Sequence, residues 1–146
     1  MENKIEIKHI TLKDVLDLEF FIDNAGNSLN SFRYFNSRDI TCINNHIITT
    51  LVYKNNTPIA YGHLDKDGEK VWLGVCVSEK HKKKGFGNLI MKELITYANK
   101  LKIEKINLSV NVNNSSAIKL YEKIGFSIIN ELKENVYLMV LKLNHL

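Results

Sequence analysis

Eight consecutive residues, His81, Lys82, Lys83, Lys84, Gly85, Phe86, Gly87 and Asn88, combine three lysines and two glycines directly ahead of an apolar run at helical spacing. Such a connection suits an anion. The two glycines tolerate positive φ and let backbone come close to a ligand. Successive N–H groups and the helix dipole face one point, and the lysines add charge around it. A dinucleotide fingerprint would need a third glycine and an acid about 20 residues further on, and a Walker loop would need Gly-Lys-Ser or Gly-Lys-Thr. Neither pattern is present, which leaves a pyrophosphate-sized anion or an ordinary solvated basic turn as readings of this stretch alone.

A second group runs from Asn114 through Ala117 and Tyr121 to Gly125 and Phe126. Ala117 and Tyr121 are four apart and share a helix face. Asn114 stands just before that helix, where it can cap the helix or reach a ligand amide. Titratable side chains gather elsewhere: Tyr61, His63 and Asp65 alternate along one face of a strand, and His46 opens the strand before it. Among these His63 is the chosen general base, because an unperturbed imidazole titrates near neutrality. An ordinary strand histidine, or a water that relays the proton, remains open. Arg33, Tyr34, Arg38 and Trp72 offer stacking and hydrogen-bonding groups to a polar acceptor, while aromatics such as Phe32, Tyr34 and Phe35 could equally cover one end of the core.

These side chains need a scaffold, and hydrophobic periodicity supplies one. Residues 5–10 alternate as a short strand, and Thr11 with Asp14 offers a helix cap for a helix ending near Asn24. Residues 26–45 carry no clean period and read as helical turn or loop with aromatic anchors. A strand meander follows over 46–54, 58–65 and 70–77, with turns at 55–57 and at Asp67-Gly68. Leu89, Ile90, Leu94, Ile95, Ala98 and Leu101 mark an amphipathic helix ending near Lys100. Residues 106–110 return to strand, 115–124 to helix with Gly125 as its stop, and 126–130 and 136–143 close the chain as strands. The order β-α-(α)-β-β-β-α-β-α-β-β predicts a mixed α/β (α+β) layer.

With 146 residues, 45% of them hydrophobic, the chain reads as one domain over 1–146. No apolar run reaches membrane-spanning length, and residues 1–9 alternate charges where a signal peptide would be apolar. A cytoplasmic protein without membrane partners is expected. Cys42 and Cys76 lack metal-ligand spacing and are expected as reduced thiols, with no metal site. The formal charge of +4 comes from lysines spread along the chain, without interleaved aromatics or a reading helix, so no nucleic-acid partner is expected. A monomer or a homodimer fits equally, the latter if residues 136–143 form an exposed edge strand.

The two glycine-bearing groups together resemble the GNAT acetyltransferase family. Its pyrophosphate loop follows Arg/Gln-x-x-Gly-x-Gly/Ala, and its later motif reads Asn-x-x-Ala-x-x-x-Tyr followed by Gly-Phe. Both occur here in the same order and the same strand-helix contexts, and the resemblance covers about residues 47–126. It implies a GNAT-like, mostly antiparallel sheet of six to seven strands flanked by helices and splayed between strands four and five. It also implies acetyl-CoA as cofactor, released as CoA. Val75, Cys76 and Val77 would then run beside pantetheine, and Lys82, Lys83, Lys84, Gly85, Phe86, Gly87 and Asn88 would hold the pyrophosphate, with Asn114, Ala117 and Tyr121 completing the cofactor contacts. Lys82 stands where the pattern has Arg or Gln, which keeps the charge and loses the planar fork.

On the same resemblance Tyr121 is the general acid that protonates the departing thiolate. The acetyl group would go to a primary amine of a small polar acceptor, such as an amino sugar, an amine or an amino acid. No acid stands on the fourth strand, and Ser109 occupies the position where members that acetylate protein N-termini carry a glutamate. A peptide N-acetyltransferase and a non-catalytic, CoA-binding regulatory domain are the alternatives.

Overall fold

A computed structural model of the chain describes residues 3–143. Strand β1 (Ile5–His9) leads to a capping box: Thr11 Oγ1 accepts from Lys13 N–H and Asp14 accepts from Thr11 N–H. One 3-10 turn follows and opens into helix α1 (Val15–Asn24). The stretch without period folds as three short 3-10 segments, Gly26–Asn30, Tyr34–Asn36 and Ile40–Asn45. Strands β2 (Ile48–Lys54), β3 (Thr57–Asp67) and β4 (Lys70–Val77) form the meander. Helix α2 (Phe86–Lys100), strand β5 (Lys105–Asn111), helix α3 (Ser115–Ile124) and strands β6 (Ser127–Lys133) and β7 (Val136–Lys142) complete the fold.

The second strand begins at Ile48 rather than His46. His46 N–H closes the last 3-10 turn on the Ile43 carbonyl, and its ring is engaged elsewhere. The sixth strand begins at Ser127 because Phe126 N–H still bonds the Tyr121 carbonyl, ending α3. It then runs to Lys133, where a turn with Asn135 at φ 64° returns the chain.

The seven strands lie in the order β1-β2-β3-β4-β5-β7-β6, and every pairing is antiparallel except β4 with β5. Strand β7 therefore sits between two neighbours. The expectation that residues 136–143 form an edge is wrong: β6 is the edge, and all seven of its residues are exposed. Strand propensity fixed both segments as strands, but their lateral order depends on tertiary pairing, which no local pattern encodes.

Strand alternation divides the core between the two faces. Val52, Ala60, Leu64, Leu73, Ile106 and Leu108 pack with Ile90, Met91 and Leu94 of α2 and with Tyr121 of α3. Leu51, Tyr53, Tyr61 and Cys76 face the other way, against Leu18 and Phe21 of α1 and Ile43 of the 3-10 layer. Strands β2 and β3 are thus buried on both faces along most of their length. Among the described residues no helix is long and apolar enough to cross a membrane.

Candidate functional site

The strands β4 and β5 are joined by a single bridge, Trp72 to Asn107. Beyond it, residues 75–77 and 109–111 have no ladder bonds to each other, although β4 is fully paired with β3 and β5 with β7. The sheet is therefore splayed between its fourth and fifth strands. A sheet interior that leaves two facing backbone edges unpaired offers hydrogen-bonding groups to a ligand.

The basic loop lies where β4 leaves the sheet. Ser28 Oγ donates to the Val77 carbonyl at 2.6 Å, Glu79 N–H bonds the Ala25 carbonyl, and Glu79 Oε1 accepts from Asn27 N–H. These bonds tie the loop's entry to the α1 layer. Lys83 takes φ 61° and Gly85 takes φ 90°, the left-handed region in which a side chain is disfavoured. Gly85 is the N-cap of α2 and supplies no side-chain acceptor, and no acid occurs in the helix's first turn. The first N–H groups of α2 are left for an external acceptor, with Lys82, Lys83 and Lys84 exposed around them. A Cβ at Gly85 would meet nothing within 4 Å, so the space above this turn is open. Gly87 sits between Val77 and Leu120, joining loop, strand and α3. This donor set fits a pyrophosphate.

Tyr121 lies on the inner face of α3, 9% exposed. Burial, and then the neighbouring Cys76 thiol, push its phenol up to about 12, so it stays protonated across the neutral range. The Cys76 thiol is likewise pushed up to about 12 by burial, with Lys82 acting in the opposite sense. Both groups are uncharged, and they belong to opposite faces of the sheet. Asn114 spends its Oδ1 on capping α3, accepting from Ala117 N–H at 3.3 Å, and Ala117 is half-buried on the face of Tyr121.

On the other face, β3 carries Tyr61, His63 and Asp65 beside Cys76, Gly74 and Trp72 of β4. His63 is 2% exposed; its Nδ1 is 2.6 Å from the Tyr61 hydroxyl. Its ring packs with Tyr34 at 4.3 Å and His46 at 4.5 Å between centroids. Burial, then His46 and Arg38, lower its pKa well below the ordinary histidine value, so it is neutral at pH 7. A Cβ at Gly74 would fall 2.5 Å from His63 Cε1 and 2.7 Å from its Nε2. The missing side chain is what lets this ring lie across β4.

Tyr34 reaches this cluster from the 3-10 layer. Its hydroxyl donates to Asp65 Oδ2 at 2.8 Å and lies 2.7 Å from His46 Nε2, while His46 Nδ1 lies 2.8 Å from Thr49 Oγ1. Burial first, then the bond to Asp65, raise the Tyr34 phenol far above its ordinary value. The Arg38 guanidinium stacks 4.1 Å from the Tyr34 ring and donates to its carbonyl. Trp72 is half-buried opposite Asp65. Arg33 stands apart, exposed and bonded through Nε to the Asn30 carbonyl.

Sequence patterning thus named His63, Asp65 and His46 but not their connection through Tyr34, and it missed Thr49 and the buried Asn107. The β3 alternation pointed at His63 and Asp65, and side-chain chemistry alone at Tyr34, Arg38 and Trp72. Tyr34 precedes Asp65 by 31 residues, in a stretch whose lack of period hides where it docks.

The model of the acetyltransferase (GNAT) family matches residues 12–126. The chain is 41% identical over 57 residues to the L-amino acid N-acetyltransferase AaaT of Escherichia coli, covering 38% of this chain and 35% of that protein. It is 38% identical over 77 residues to the spermine/spermidine N(1)-acetyltransferase of Bacillus subtilis, covering 51% of this chain and 50% of that protein. The matched stretches thus span half or less of these relatives' lengths. In structure the chain resembles the PaiA N-acetyltransferase of Thermoplasma acidophilum, solved in complex with coenzyme A, with a TM-score of 0.76 at 20% identity over 96% of this chain and 99% of the other.

Proposed function

Because this chain belongs to the acetyltransferase (GNAT) family, we propose that it moves an acetyl group from acetyl-CoA to a primary amine of a small polar acceptor. The observation that carries the reading is the uncapped first turn of α2, opened by Gly85 and ringed by lysines, at the wide end of the splay between β4 and β5. Acetyl-CoA supplies the activated acetyl thioester. Lys82, Lys83, Lys84, Gly85, Phe86, Gly87 and Asn88 bind its pyrophosphate through backbone N–H groups and lysine charge. Residues 75–77, unpaired on their β5 side, bond the pantetheine amides, with Asn114 and Ala117 on the helix side.

Tyr121 acts as general acid, since burial keeps its proton in place until a neighbouring sulfur becomes basic enough to take it. His63 receives the proton of the amine. Burial keeps the ring neutral and able to accept, and the same burial makes it a weak base that soon releases the proton to solvent. Tyr34, Arg38 and Trp72 line the acceptor's side, and Arg33 belongs to its outer margin. The same reading takes residues 1–146 as one domain, monomeric or paired as a homodimer, in the cytoplasm.

The relatives' names support an amine acceptor: one acts on L-amino acids and the other on spermine and spermidine. Isothermal titration with acetyl-CoA and with CoA tests the cofactor, comparing the wild type with Gly85→Glu. Micromolar binding that the substitution abolishes is expected. Absence of heat with either ligand would remove the basis of the reading.

A further inference from the structure

Asp65 is half-buried and belongs to no ion pair among the described residues, where the ion pairs are Lys4–Glu6 and His9–Glu93. Yet three groups are arranged in a hydrogen-bonded line that ends on its carboxylate. Tyr34 has one proton, and the bond to the carboxylate uses it. The contact between His46 Nε2 and Tyr34 must then be an N–H donated to the phenol oxygen. Burial holds His46 neutral, so its Nδ1 carries a lone pair and accepts from the Thr49 hydroxyl. Every hydrogen bond from Thr49 through His46 and Tyr34 points the same way and ends on Asp65. Aligned donors of this kind polarise one another and hold the carboxylate in one orientation.

We propose that Asp65 determines acceptor specificity by binding a second cationic nitrogen of the acceptor, and that Thr49, His46 and Tyr34 are positioning residues that fix its carboxylate. A half-buried carboxylate with no ion-pair partner among the described residues, beside the rings of Tyr34 and Trp72, is a site for an ammonium group. The bound nitrogen is not the reacting one. An attacking amine must be neutral, and a carboxylate partner holds an amine in its charged form.

Spacing agrees, on the reading that the acetyl group lies at the closed end of the splay. That end is near Gly74, which pairs with His63; Asp65 lies two residues from His63 along β3, about 6.6 Å at ordinary strand rise, and one strand to the side of the gap. An alkyl chain of a few carbons spans an offset of that order, so the preferred acceptor is a linear diamine or polyamine. Arg38, stacked on the outer side of Tyr34, would instead favour an acceptor bearing a carboxylate.

Putrescine, butylamine and γ-aminobutyrate have similar length and carry, respectively, a second cation, no second charge and an anion. The wild type is expected to favour putrescine over butylamine by about tenfold to a hundredfold, mainly in KM, and to disfavour γ-aminobutyrate. Asp65→Asn should bring the putrescine-to-butylamine ratio close to one, and Tyr34→Phe and Thr49→Val should lower it in part. General loss of stability would not move this ratio. Calorimetric titration of the same compounds reads the preference without turnover. Diamine binding without acetyl transfer would count against the acetyltransferase reading and leave this proposal standing. A wild type that prefers butylamine or γ-aminobutyrate, or an Asp65→Asn variant that keeps the putrescine preference, would overturn it.

Discussion

His63 occupies the volume that a side chain at Gly74 would fill: a methyl group there would come within 2.5 Å of its Cε1. The ring has little room to retreat, being bonded to Tyr61 and packed against Tyr34 and His46. Gly74→Ala should therefore destabilise the protein by about 1–3 kcal/mol, the usual cost of overpacking. In a His63→Ala background most of that cost should vanish. A double-mutant cycle by urea denaturation measures the coupling, and additive losses would mean the two residues do not compete for space.

Tyr121→Phe removes one hydroxyl from a ring that stays packed against Phe126 and the main core. Folding should be nearly unaffected. If the phenol donates the proton, kcat should fall by roughly 10²- to 10⁴-fold while acetyl-CoA affinity changes little. Steady-state kinetics beside calorimetric titration separate the two quantities, and an unchanged kcat would take the acid role from Tyr121.

Gly85→Ala isolates backbone strain from steric contact, because nothing lies within 4 Å of the added carbon although φ is 90°. The expected loss is about 1 kcal/mol, visible as a lower urea midpoint. A much larger loss would show that the turn also packs against something.

The histidines make stability fall on mild acidification. Burial lowers the folded-state pKa values of His46 and His63 below the ordinary histidine value, so the unfolded chain binds more protons below about pH 6.5. Their contribution is complete above that pH and is lost as pH falls through it, by up to about 1.4 kcal/mol per pH unit for each ring. Denaturation curves between about pH 7.5 and 5 should show this slope, and His63→Gln should flatten it.

The two glycine-bearing groups were legible as a loop ahead of a helix and as a helix face because their signals are local. Gly85 and Gly87 precede a helix within a few residues, and Ala117 and Tyr121 share a helix face by their spacing alone. The docking of Tyr34 on Asp65 was not. Residues 26–45 form 3-10 segments too short to show a period, so nothing announces that Tyr34 folds over β3 to meet Asp65. The order of the last two strands was hidden for a related reason: β6 and β7 both look like strands, and only pairing with β5 decides which one lies inside.

The α1 and 3-10 layer covers one face of the sheet, while α2 and α3 cover the other. The groups around Asp65 come from residues before 75, and the basic loop and Tyr121 come from residues after 77. Descendants of such a chain can remodel one surface by drift in its first half and keep the other under separate selection.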